Sequence, residues 1–269
     1  MIILVILASL AGVLFLRPKI AAEVGPRQTP RQALNPAYAA VATSTRSARV
    51  PIFVYHLVRP AELTDTPDIR AYLVTPDVFE LQMRYLHDNK YHVISFSDLE
   101  NYLNDGVPLP SRPVILSFDD GWENQFAYAF PILQKYHLTA TFFIFTNAMG
   151  HREYLSWSQV QTLLEAGMTI GSHTRSHPYL AQITDQTKLE DEIAGSKQII
   201  EAHTGTTTNE FAYPFSSYST TTIALVKKAG YKSARAFSLG VLHTRNDLYT
   251  LSTVPGPNDL FTFIRYLPR

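Results

Sequence analysis

Apolar residues in this chain fall into short runs and short helical stretches that alternate along most of its length. Ile52 to Tyr55 follows Pro51 as a compact apolar run of strand type. Thr75-Pro76-Asp77 is a helix start, with Thr at the N-cap and Pro in the first turn, and Phe79, Met83 and Leu86 then share one helical face. His92 to Ser95 reads as the next strand, with Ser97 capping a second helix. Pro113 to Phe118 (PVILSF) has the unbroken apolar character of a strand buried on both sides. A helical stretch runs to about Tyr136, and Ala140 to Thr146 is a further strand. Ser158 to Ala166 forms a helix closed by Gly167, Met168 to Ser172 a strand, and Leu189 to His203 a helix closed by Gly205. Phe211 to Phe215, Tyr231 to Phe237 and Tyr249 to Val254 complete the strands, with a helix over Thr220 to Ala229 between the first two.

Eight strand segments with helical crossovers imply a parallel sheet, and the count favours closure: an α/β fold, a distorted (β/α) barrel of about seven to eight parallel strands. An open doubly wound sheet is the alternative. The 269 residues suit one such domain with a short extension.

The extension is N-terminal. Met1 to Leu16 carries no charged side chain, and Arg17, Pro18 and Lys19 end the run. At ~1.5 Å per residue it spans about 24 Å, slightly short of a ~30 Å hydrocarbon core. No clean small-x-small cleavage site comes after it, so a retained anchor is favoured over a cleaved signal. The basic residues after the run pull the other way, since the positive-inside rule would place the remainder of the chain on the cytoplasmic side. Residues 20–49 are rich in Pro, Ala, Thr, Arg and Gln without periodicity and read as a flexible linker. The expected organisation is an anchor or signal segment over 1–19, the linker over 20–49 and a catalytic domain over 50–269, held outside the cytoplasm.

Lys plus Arg equals Asp plus Glu at 23 each, so the chain lacks the basic footprint of a nucleic-acid binder. There is no cysteine, which excludes disulfides and thiolate-bound metals. Nor is there an HExxH sequence, which disfavours a zinc peptidase.

Polar residues with chemistry collect where the expected strands end, the rim on which such barrels carry their sites. His56 ends the first strand and Asp119-Asp120-Gly121 the third. His173 ends the fifth, with His177 four residues on, and Tyr213-Pro214-Phe215-Ser216 ends the sixth. If a helical turn comes after the fifth strand, His173 and His177 share a face, and one carboxylate would complete a His₂Asp set with open positions. Alone, the pair is equally a solvated loop with two incidental histidines. Adjacent Asp119 and Asp120 repel unless a metal takes one and proton transfer occupies the other. An Asx turn with Gly121 at positive φ explains the glycine and one aspartate, but not the histidines on the same rim. His87, His92, His137, His151 and His203 lie away from the rim and read as surface residues.

In order and spacing, SFDDGW, GSHTRSH and YPFSSYS resemble the signatures of the polysaccharide deacetylase family (NodB-homology, carbohydrate esterase family 4). PIFVYH and the stretch from Val78 to Leu109 resemble its poly-N-acetylglucosamine deacetylase branch. The resemblance covers residues 50 to 255. It implies a distorted (β/α) barrel that removes acetyl groups from an acetylated polysaccharide, poly-N-acetylglucosamine by preference, using a divalent metal ion, zinc by preference. It implies Asp120, His173 and His177 as metal ligands, Asp119 as general base and the Phe215 N–H as oxyanion donor. Ala212 stands where the motif Arg that orients the base is usual, and Ser216 where Gly is usual. Two histidines compete for the general acid: His56, matching the branch that opens with a Tyr-His pair, and His243, in Val241-Leu242-His243. His56 is favoured because it ends a strand. Trp122 and Tyr218 are candidate sugar-stacking residues. The expected partners are the polysaccharide and, through the N-terminal segment, a membrane, with the domain a monomer. An O-acetyl esterase and an inactive carbohydrate-binding relative remain open as alternatives.

Overall fold

The computed structural model describes residues 46–269. The anchor or signal segment over 1–19 and most of the linker over 20–49 lie outside the described residues. Seven strands form a closed parallel ring: β1 (Ile52–Tyr55), β2 (Pro113–Phe118), β3 (Thr141–Ile144), β4 (Thr169–Ser172), β5 (Glu210–Ala212), β6 (Ser233–Leu239) and β7 (Leu251–Pro255). Each pairs with its successor, and β7 closes on β1 with Val254 opposite Phe53. The barrel is therefore the closed alternative.

The segment expected as an eighth strand contributes only His92–Val93, paired with Pro113 and Val114 at the start of β2 and outside the ring. Two constraints shorten it. β3 takes the same edge of β2 from Ser117 onward, β1 being on the opposite edge, and Ser95 is committed to a helix cap. Ser95, not Ser97, accepts from the Asp98 N–H while the Asp98 carboxylate accepts from the Ser95 N–H, which closes a capping box ahead of Phe96–Asp105. The linker is also shorter than expected, because Ser47–Arg49 pairs antiparallel with Leu242–Thr244.

Alternate strand residues serve two cores. Phe53, Tyr55, Leu116, Phe118, Phe142 and Ile144 face the outer helices, and Phe79, Met83 and Leu86 of the helix Pro76–Asp88 pack onto them with the expected spacing. Ile52, Ile115, Phe143, Ala212 and Leu251 gather instead with Phe96, Leu99 and Leu103. Helix Phe96–Asp105 thus seals the end of the barrel where the strands begin. The opposite end, where they stop, is left to loops.

Candidate active site

The rim residues converge on a cavity of about 660 Å³ above the strand ends, lined among others by His56, Asp119, Asp120, His173 and His177. Asp120 and Gly121 both take φ +71° as the chain leaves β2. For glycine this costs nothing, and a Cβ there would come within 2.9 Å of Ile144 and Met149, so the turn requires it. For Asp120 the conformation is strained. His177, Phe215 and Ser216 are strained in the same sense, so four of the nine non-glycine positive-φ residues described line this cavity, and a fifth, Thr174, lies buried in the loop that presents the histidines.

Three side chains meet at one point. Asp120 Oδ1 lies 3.6 Å from His173 Nε2 and 3.2 Å from His177 Nε2, and the two imidazole nitrogens are 3.2 Å apart. Their outer atoms are tied down: His173 Nδ1–H donates to the Ala212 carbonyl at 2.7 Å, and Trp122 Nε1–H donates to Asp120 Oδ2 at 2.9 Å. That leaves the His173 Nε2 lone pair facing Asp120 Oδ1, a buried oxygen with no hydrogen-bond donor. Burial pushes His173 down to about 3, with His177 adding to the effect, so the ring is neutral. Burial would raise the Asp120 carboxyl, but the surrounding imidazoles outweigh it and hold the group well below its usual range. A carboxylate and two imidazoles with donor atoms within 4.8 Å of one another, fixed from behind, fit a divalent cation.

The loop that presents both histidines is not the expected helical turn. Residues 173–178 form no helix. Buried Glu192 organises them, accepting from the backbone N–H groups of Arg175 at 3.0 Å and Ser176 at 2.9 Å and from the Ser176 hydroxyl. Thr174 Oγ1 accepts from the His177 N–H at 2.9 Å.

Beside this trio, the buried Asp119 carboxylate accepts from Arg235 Nη2 through Oδ1, and its Oδ2 lies 3.7 Å from His56 Nε2. Sequence reasoning missed Arg235. It arises from β6, one strand beyond Ala212, and supplies the guanidinium that the third motif lacks. Burial lowers it to about 9, which leaves it charged at neutral pH. Burial also pushes His56 down to about 4; Asp120 opposes this, while Arg235 and His177 reinforce it.

Phe215 sits at φ +54°, and among the described residues its N–H donates to no backbone carbonyl. Its exposed ring stacks on Tyr179 at 4.1 Å and 11°. Trp122 lines the cavity and stacks on Tyr154 at 4.5 Å. Tyr218 does not line it: the ring packs against Tyr213 within a buried cluster, so the candidate aromatic wall is Trp122, Tyr179, Phe215, Tyr72 and Phe237 instead. His243 is fully buried at the other end of the barrel, its Nε2 bonded at 2.8 Å to the carbonyl of Val50, ahead of β1. It does not reach the cavity.

Residues 106–234 match the family model described as Polysaccharide deacetylase. A Bacillus subtilis protein that carries the name polysaccharide deacetylase YxkH is 27% identical over 209 residues, covering 78% of this chain and 72% of its own. The poly-beta-1,6-N-acetyl-D-glucosamine N-deacetylase of Staphylococcus epidermidis is 26% identical over 230 residues, covering 77% of this chain and 78% of its own. Among solved structures, a polysaccharide deacetylase from Bacillus cereus superposes with a TM-score of 0.71 at 25% identity over 82% of this chain and 69% of that one. Streptococcus pyogenes deacetylase PplD shares the fold with a TM-score of 0.76 at 24% identity over 83% of this chain and all of that one.

Proposed function

We propose that this chain, whose residues 106–234 match the polysaccharide deacetylase model, is a member of that family and removes N-acetyl groups from an N-acetylglucosamine polysaccharide with the help of a divalent metal ion. The observation that carries the reading is the convergence of Asp120, His173 and His177 on one point, with Asp119 and His56 beside it. A cation held there would act as a Lewis acid on the acetyl carbonyl and acidify a neighbouring water. Asp119, aimed by Arg235, takes the proton from the attacking water. The unused Phe215 N–H points its dipole at the developing oxyanion, an effect of order 3 kcal/mol for such a donor. The proton held by Asp119 has 3.7 Å to travel to His56. From there it reaches the departing nitrogen, which must be protonated to leave. Acetate departs and a neutral sugar becomes a cationic amine.

Poly-β-1,6-N-acetylglucosamine is the favoured substrate and zinc the favoured ion. The name of the staphylococcal relative supports the first, and the His₂Asp donor set the second. The apolar run from Met1 to Leu16 supports a membrane-tethered, extracytoplasmic enzyme, and fractionation of cells expressing the full chain tests this; recovery in the cytosol rejects it. The central test is acetate release from poly-β-1,6-N-acetylglucosamine, chitin and peptidoglycan fragments, before and after chelation and zinc replenishment. Activity that survives complete metal removal rejects the mechanism. Release from acetyl-xylan alone rejects the substrate.

A further inference from the structure

Between the candidate base and acid lies a buried amide that the chemistry above does not use. Gln125 is fully buried and does not line the cavity. Its Nε2 donates one hydrogen to the carbonyl of Asp119 at 2.6 Å and the other to the carbonyl of His56 at 2.8 Å. These carbonyls end two adjacent strands, β2 and β1, and belong to residues 63 apart in the chain. Both hydrogens of one planar amide are committed, so the two strand ends are held at a spacing set by the amide. The Asp119 N–H donates to the Tyr55 carbonyl at 2.9 Å just below. Gln125 therefore completes the pairing where the ladder between the two strands stops.

The arrangement has the marks of a device kept for geometry. Gln125 Oε1 is buried without a donor, an unfavourable condition that a better-satisfied side chain would avoid. The residue opens a π-helical turn, Gln125–Ala129, a form that recurs at functional sites. Its neighbours anchor the same two strand ends: Asn124 Oδ1 accepts from the Val58 N–H at 2.9 Å, and Trp122 Nε1–H holds Asp120.

We propose that Gln125 is a positioning residue that fixes the distance between the His56 ring and the Asp119 carboxylate, and so governs delivery of the proton to the departing amine. The proposal rests on the acid and base roles assigned above. A misplacement of about 1 Å can cost about 10²-fold in rate. Removing the clamp should therefore hurt reactions that need a protonated leaving group and spare those that do not.

The test compares two probes in one protein: N-acetylglucosamine oligomers, whose amine must be protonated, and 4-nitrophenyl acetate, whose phenolate leaves unaided. Gln125→Met keeps size and removes both donors. It should lower kcat on the oligomers by about 10²-fold with KM within about twofold, and lower turnover of the ester by less than about fivefold. Gln125→Glu, which also removes the pair of donors at neutral pH, should show the same bias and stands in if the Met variant folds poorly. The amide-to-ester ratio does not depend on the fraction of protein folded. Equal losses on both probes, or none, overturn the proposal. His56→Ala separates this from failure of the underlying reading: if it shows the amide bias and Gln125→Met does not, the positioning role alone is wrong; if His56→Ala shows no bias, the acid assignment falls first.

Discussion

The buried pair of Asp119 and Arg235 and the imidazole of His56 occupy one patch, yet they make separable demands on the reaction. Asp119→Asn keeps the shape but loses the proton acceptor. It should lower kcat by 10²–10⁴-fold while the metal content of the purified protein stays at the wild-type level; loss of metal would mean that Asp119, not only Asp120, is a ligand. Arg235→Met leaves a buried carboxylate without its partner and should cost about 3–5 kcal/mol in denaturant unfolding. The double change with Asp119→Asn should recover part of that loss; simple additivity would show that the pair is not coupled. His243→Ala removes a hydrogen bond at the far end of the barrel. It should cost about 1–3 kcal/mol of stability and leave kcat within about twofold, and a large kcat effect would return the acid role to His243. Asp119, Asp120, His56 and His173 were legible because each interrupts an apolar strand at its end. Arg235 was not: within Ser-Ala-Arg-Ala-Phe it has the alternation of an ordinary strand, and its partner lies 116 residues away.

At the level of elements, the histidine loop brings His173 and His177 together by a route other than the expected helical turn. Four-residue spacing on a helix would bring His173 and His177 together, but Thr174 at φ +74° and His177 at φ +60° achieve this in an irregular loop. Such a loop needs an external frame, and Glu192 supplies it from the next helical segment. Nothing in the sequence marks Glu192, because it looks like one more acidic residue on a solvated helix. Only its placement under the loop explains why it is buried. Glu192→Ala should release His177 and weaken metal binding by about 10–100-fold, the usual cost of losing a group that orients a ligand. Competition with a chromogenic chelator measures this directly. A variant that binds the ion as tightly as wild type would show that the loop holds itself. The strand and helix order was legible from apolar periodicity. The truncation of the strand at His92 was not, since it depends on β3, distant in sequence, taking the same edge of β2 from Ser117 onward.

For the whole molecule, buried ionisable groups lie at both ends of the barrel, and Glu210, at the lower end, controls stability rather than chemistry. Glu210 opens β5 at the sealed end and is 3% exposed. The Ser97 hydroxyl donates to Oε1 at 3.3 Å, whereas Oε2 has no donor, and neither does the Oγ of Ser233 opposite it in the register. Burial pushes the Glu210 carboxyl up to about 7; the hydrogen bond from Ser97 opposes this and the charge on Glu100 adds to it. A folded-state value above the unfolded one means that the native protein prefers the protonated acid. Its stabilising contribution is complete below about pH 4.5 and disappears as pH rises through about 7. At ~1.4 kcal/mol per pH unit, the loss approaches roughly 3 kcal/mol by pH 8. Glu210→Gln keeps an acceptor for Ser97, cannot ionise and brings an N–H₂ toward the empty side. Unfolding measured from pH 4.5 to 8 should find the variant close to wild type at the acid end and more stable by about that margin at pH 8. Because Glu210 lies at the end of the barrel away from Asp119 and His56, the pH dependence of kcat should be the same in both proteins. Stability curves that run parallel across the range would mean that the folded barrel admits enough solvent at its base to keep the carboxylate charged.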